Sequence, residues 1–238
     1  ARLARLALGE YSAAWPDYEA RLETIEFRKE VVARKDRQWR GETLGKGEPL
    51  YLFGNQGLGD VFQTWRYLPL VAKRAEEIVL EVQGPVLPLA RGLPESFRVV
   101  ERGERVGPFA RWCELFSLPG LFGATRETLP PTPSIEFERV QSIRDRLRKE
   151  REKHPGKPLV GLAWSGTPAN PLNRFRACGL TPLRPLLERE EFRFFSLQKG
   201  APATEIAALG LGECLCDLDP FLTDFGATAT AVEELDLV

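Results

Sequence analysis

The chain of 238 residues contains no methionine and only one histidine. The first absence leaves two expectations: the chain is a piece of a longer protein, or methionines are missing from the sequence as written and some spacings are one residue short. The second sets Ser-His and Cys-His nucleophilic chemistry aside, because His154 sits in Lys153-His154-Pro155-Gly156, a solvated turn context. Cysteines are few. Cys113, Cys178, Cys214 and Cys216 show no disulfide or metal framework, and Cys214-x-Cys216 is closer than a zinc knuckle requires. They read as buried or strand thiols in a reducing compartment, which predicts a cytoplasmic protein. No apolar run approaches the ~20 residues of a membrane span, and the Arg-Leu alternation at the N-terminus is not a signal peptide. Neither sign of charge prevails, with 33 basic and 34 acidic residues. A nucleic-acid partner, which calls for a basic excess, is therefore not expected.

What is present suits one large or two small α/β domains, with 43% hydrophobic residues available for a core. Residues 1–24 carry Leu3, Leu6, Tyr11, Trp15, Tyr18 and Leu22 at helical spacing, broken at Gly9. The order Gly9-x-Tyr11-x-x-Ala14-Trp15-x-x-Tyr18 resembles one helix of a tetratricopeptide repeat. An amphipathic helix packed on the next domain is the plainer alternative. Residues 25–48 read as a charged, glycine-rich connector. From residue 49 onward, strand-like runs (49–53, 78–82, 98–101) alternate with helix-like ones (61–75, 85–92), which predicts a parallel sheet. A polar helix over 136–153 and a Pro/Gly break follow. The rhythm then restarts with strands at 158–164, 192–197 and 215–218 and helices at 181–188, 203–209 and 227–235. The expected domains are 1–24, 25–48, 49–153 and 154–238. Residues 236–238 look like the start of another strand. An unfinished strand leaves an unpaired edge, so the native protein is expected to continue past Val238.

Three strand ends carry donors or acids. Gly54-Asn55-Gln56-Gly57-Leu58-Gly59-Asp60 joins the first strand to a helix, a layout that aims backbone N–H groups beyond the sheet. Its glycine spacing is not the dinucleotide fingerprint, and no Lys-Ser/Thr pair makes a phosphate loop. Asp60 in the first helical turn is held ionised by the helix dipole and able to take a proton. Read blandly, the turn only connects and Asp60 only starts a helix. Ser165-Gly166-Thr167 closes the first strand of the second half, followed by Arg174 and Arg176, whose guanidinium forks match a diphosphate. Gln198-Lys199-Gly200 closes the next strand. Solvated loops are the plain alternative for both.

These residues carry a resemblance. Gly9-Glu10-Tyr11, Trp15-Pro16-x-Tyr18-Glu19, Gln56-Gly57-Leu58-Gly59-Asp60, Arg66-Tyr67-Leu68-Pro69-Leu70, Gly161-Leu162-Ala163-Trp164-Ser165-Gly166, Ser196-Leu197-Gln198-Lys199-Gly200 and Asp224-Phe225 occur in order. Together they resemble bacterial tetratricopeptide-repeat proteins with a heptosyltransferase-like, more distantly O-linked N-acetylglucosamine-transferase-like, region. The resemblance implies two Rossmann-like lobes of GT-B type, the second incomplete, after a short tetratricopeptide-like segment. It implies an inverting, metal-independent transfer from a nucleotide-sugar to a glycan, lipid or protein acceptor, with no resident cofactor. Asp60 inherits the role of general base. Asn55, Gln56, Gly57 and Gly59 form the acceptor-side loop, and Ser165, Gly166, Arg174, Arg176, Gln198 and Lys199 face the donor phosphates. A further donor-site segment is implied beyond Val238, so the chain alone is expected to lack part of that site. The repeat helices imply a protein partner. A non-catalytic scaffold with a degenerate transferase fold is the alternative function.

Overall fold

The apolar run after Pro49 forms β1 (Leu50–Phe53), and all four of its residues are buried. A strand covered on both faces has no reason to alternate, hence the unbroken hydrophobicity. In the computed structural model, which describes residues 2–55, 57–167, 170 and 173–238, β1 is joined by β2 (Ile78–Val82), β3 (Phe97–Glu101) and β4 (Arg111–Glu114). The four pair in parallel in the order β3-β2-β1-β4. This is the strand order of a Rossmann half-fold, in which the chain reverses its direction of travel between the first strand and the fourth. β4 escaped the sequence reading, because Arg111-Trp112-Cys113-Glu114 begins and ends on a charge.

The helices of this part are α1 (Arg2–Ala7), α2 (Tyr11–Glu19), α3 (Lys29–Val32), α4 (Leu58–Thr64), α5 (Leu68–Ala72), α6 (Leu87–Ala90) and α7 (Leu118–Leu121). The expected helix over 61–75 is two pieces joined by a tight 3-10 turn at Trp65–Tyr67, and Pro69 opens the second. Proline lacks the N–H that a continuous helix would need there. The connector assigned to 25–48 is in fact a layer of the fold. Leu22, Ile25, Val31 and Val32 pack on Tyr51, Phe53, Val79, Val100 and Trp112. Trp39 N–H donates to the Trp112 carbonyl at 2.8 Å. Parallel sheets are covered on both faces, and these residues cover one of them. α2 lies against α1 and α7, with the Trp15 indole N–H donating to the Ala124 carbonyl at 2.7 Å. This packing gives no support to a stacked tetratricopeptide repeat.

The chain forms two compact units, Ala1–Glu136 and Phe137–Val238. The division falls earlier than 153, because the polar helix α8 (Gln141–Lys153) buries Ile143 and Leu147 in the second unit's core. That unit contains β5 (Leu159–Leu162), β6 (Arg193–Ser196) and β7 (Leu215–Asp217), parallel and in that order. Its other helices are α9 (Arg184–Leu187), α10 (Glu205–Ala208) and α11 (Phe225–Glu234). Asp224 caps α11, its carboxylate accepting the Ala227 N–H at 2.8 Å. Leu237 then bridges in parallel to Val160 on the free edge of β5, where its carbonyl accepts the Gly161 N–H at 2.8 Å. The second sheet therefore repeats the order of the first, with residue 237 in the fourth place. Among the described residues no helix is long and apolar enough to cross a membrane.

Candidate functional site

In the first unit the reversal of strand order lies between β1 and β4, the place where open α/β sheets hold ligands. β1 ends there at Gly54. A Cβ on that residue would meet Val61 Cγ2 at 3.0 Å and Leu115 Cδ1 at 3.3 Å, so the close approach of loop, α4 and the end of β4 favours glycine. The loop is gripped from two sides. Arg102 donates to the Gly54 carbonyl, and the Asn55 N–H donates to Glu114 Oε1 at 3.3 Å.

Behind the loop stand two buried carboxylates, Glu81 and Glu114, on the strands either side of β1 and both in register with Phe53. Glu81 accepts hydrogen bonds from the Tyr51 hydroxyl and from Arg28 Nε at 3.0 Å and Nη2 at 2.6 Å. Burial, and then the Glu81 carboxylate, push the Tyr51 phenol far above its usual range. Glu114 accepts from Arg21 and from the Phe116 N–H at 3.0 Å. Arg21 also donates to Ser117 Oγ at 2.8 Å and Glu19 Oε1 at 2.8 Å. Burial pushes the Glu114 carboxyl up, against the pull of Arg21 and the two N–H groups. The Arg21 guanidinium is held above its ordinary value, because burial, which lowers it, is outweighed by Glu114 and Glu19.

Asp60 differs from both. Gly57 is the N-cap of α4, and Asp60 is its third residue. The carboxylate folds back over Gly57, with Oδ2 3.3 Å from the place a Cβ would occupy there. It is exposed and, among the described residues, has no hydrogen bond or ion pair. Of these three acids, two are paired with arginine and one is left to solvent. Gly59 is exposed beside it, Asn55 is half-buried, and Gln56 lies outside the described residues.

In the second unit the corresponding loop leaves β5 through Trp164, Ser165 and Gly166. Its donors are largely engaged by this loop and by the one that follows β6. Gln198 is buried, and its Oε1 accepts the N–H groups of Trp164 at 3.1 Å and Ser165 at 2.8 Å. Asn173 accepts the Gly166 N–H at 2.9 Å and donates to Ser165 Oγ at 3.1 Å. Lys199 donates to the Asp219 carbonyl at 2.8 Å and pairs with its carboxylate at 2.5 Å. Arg174 and Arg176 are exposed, the first over the Phe175 ring at 4.7 Å, and neither has a carboxylate within ion-pair distance among the described residues.

Sequence reasoning singled out Asp60, which the structure places exposed in the first turn of α4, and missed the buried network behind its loop. Glu81 carried a signal, as a lone acid inside Ile78-Val79-Leu80-Glu81-Val82. Arg21 and Arg28 carried none, since they reach Glu114 and Glu81 across 93 and 53 residues. The thiol of Cys113 is pushed well up by burial, which keeps it protonated and inert. Among the described residues no group of three or more His, Cys, Asp or Glu is placed to hold a metal ion.

No protein-family profile matches the chain, and no curated protein sequence is similar to it. A solved structure, the glycosyl transferase family 9 protein from Veillonella parvula DSM 2008, superposes with a TM-score of 0.48 at 12% identity. The match covers 84% of this chain and 76% of that one. A likeness this distant assigns no chemistry.

Proposed function

We propose that the chain is a glycosyltransferase-like protein that moves a sugar from a nucleotide-sugar to an acceptor hydroxyl, without a metal and with inversion. The observation that carries the reading is Asp60, an unneutralised carboxylate at the reversal point of the first sheet, backed by two acids that arginines have silenced. In the reaction, the acceptor oxygen bonds to the anomeric carbon as its proton passes to Asp60. The bond from that carbon to the diphosphate breaks, and the diphosphate leaves with the electron pair. Arg174 and Arg176, exposed in the loop after β5 and without an ion pair among the described residues, neutralise the leaving charge.

Two measurements test this. Calorimetric titration with uridine, guanosine, adenosine, cytidine and thymidine diphosphates should give saturable heat with one of them, weakened about tenfold or more by Arg174→Gln with Arg176→Gln. Asp60→Asn should lower kcat by about 10²–10⁴-fold and leave that nucleotide affinity unchanged. Absence of heat with every nucleotide removes the donor half of the reading.

One observation favours a second reading, a non-catalytic interaction protein with a transferase-like fold. Ser165, Gly166, Gln198 and Lys199 are occupied by partners in these and neighbouring loops, which leaves few donors for a ligand. An Asp60→Asn chain that performs normally in the cell would select this reading.

A further inference from the structure

The first unit contains a cavity of about 390 Å3 between α3 and the segment 104–109, which joins β3 to β4. This lies within the size range of small-molecule sites. Its apolar wall is made by Val31, Tyr51, Val106 and Phe109. The Tyr51 and Phe109 rings are tilted at 38° with centroids 5.2 Å apart. Tyr51 is fixed, since it is buried and its hydroxyl donates to Glu81.

Three arginines, Arg28, Arg34 and Arg105, share the lining with two acids. Glu104 is drawn back to its own turn, where Oε2 accepts the Glu101 N–H at 3.0 Å. Glu30 is exposed and lies 3.8 Å from Arg28 Nη1, beyond hydrogen-bond reach. Arg34 and Arg105 are exposed and have no carboxylate within 4.0 Å and no side-chain hydrogen bond among the described residues. Arg28 gives Nε and Nη2 to Glu81 and keeps Nη1 free of hydrogen bonds. It is also, among the described residues, the one non-glycine with a positive φ, 58°. A backbone of that kind persists where its surroundings hold it, and such places cluster at ligand clamps. A bare phosphate would use the cations and leave the apolar wall to water. An uncharged ring would use the wall and none of the cations. A small ring carrying a phosphate uses both, the ring against Tyr51 and Phe109 and the dianion among the guanidinium forks.

The cavity also has a route to the loop after β1. Glu81, which holds Arg28, lies 4.0 Å from Arg102 Nε, and Arg102 donates to the Gly54 carbonyl. An anion beside Arg28 takes up part of the charge that Glu81 faces, so Glu81 pulls harder on Arg102 and away from Gly54. We propose that this cavity binds a small aromatic phosphate as an effector, and that its occupancy loosens the loop leading to Asp60. The binding site does not rest on the glycosyltransferase reading.

The test is calorimetric titration of the whole chain with phenyl phosphate, inorganic phosphate and phenol. Phenyl phosphate should bind saturably, about tenfold or more tighter than either of the others. Arg34→Gln with Arg105→Gln, both at exposed positions, should weaken it about tenfold. Arg174→Gln with Arg176→Gln, in the second unit, should leave it unchanged. With the site saturated, the Asn55 amide should exchange its hydrogen about threefold or more faster. The site is overturned by absence of heat, by equal affinity for inorganic phosphate or phenol, by an Arg34 and Arg105 double variant that binds like the parent, or by loss of binding in the Arg174 and Arg176 variant. Unchanged or slower Asn55 exchange in the saturated chain overturns the effector role. The probe carries no nucleoside and its arginines lie in the first unit, so its failure leaves the nucleotide titration standing, and the reverse holds.

Discussion

Removing Arg21 leaves Glu114 buried and negative with no cation beside it. Uncompensated burial of that kind costs about 3–5 kcal/mol, so Arg21→Met should lower the urea midpoint sharply. Adding Glu114→Gln should recover part of the loss, because the stranded charge goes with it. Additive losses in the double variant would show that the pair is not the source. The same exchange should loosen the Asn55 loop, which hangs from Glu114. At this scale Asp60 was legible from its place after a glycine turn. The residues that silence its neighbours were not, because buried pairing depends on contacts far apart in the chain and no local spacing encodes them.

Among the elements, the closing strand segment of the second unit has a testable anchor. Asp236 Oδ2 accepts the Leu159 N–H at 2.7 Å and pairs with Arg151 at 3.0 Å. The first bond, then the arginine, hold its carboxyl below the usual range. A lowered carboxyl contributes stability that is full above its unfolded value, about 4, and is lost as pH falls through the folded one. Asp236→Asn should therefore destabilise the second unit at neutral pH, and the gap to the parent should close as pH drops below about 4. A gap independent of pH would mean that the anchor acts without its charge. Most strands were legible as short apolar runs, β1, β2, β5 and β6 above all. β4 was not, since Glu114 is buried through contacts with Arg21 and two backbone N–H groups that no local pattern reveals. The long helix expected over 61–75 failed at Pro69, where the periodic pattern continued through a backbone that could not.

For the molecule as a whole, the two units have separate cores. Leu147 belongs to that of the second, with Ile143, Leu159 and Phe195. Leu147→Ala should cost about 2–5 kcal/mol. Hydrogen exchange should show the loss in the amides of β5, β6 and β7, with those of β1 to β4 protected as before. Equal loss in both sheets would contradict two separate cores. The restart of the βα rhythm was visible in the sequence, and the position of the boundary was not. α8 is polar over most of its surface, and only Ile143 and Leu147 tell which core it serves. The repeated strand order has a consequence of its own. In each half the sheet changes course just after its opening strand, so each loop proposed to meet a ligand is one short stretch of sequence, near 54–60 and near 163–176. Swapping either stretch for another of similar length would re-address the protein to a new molecule while the framework beneath stays as it is.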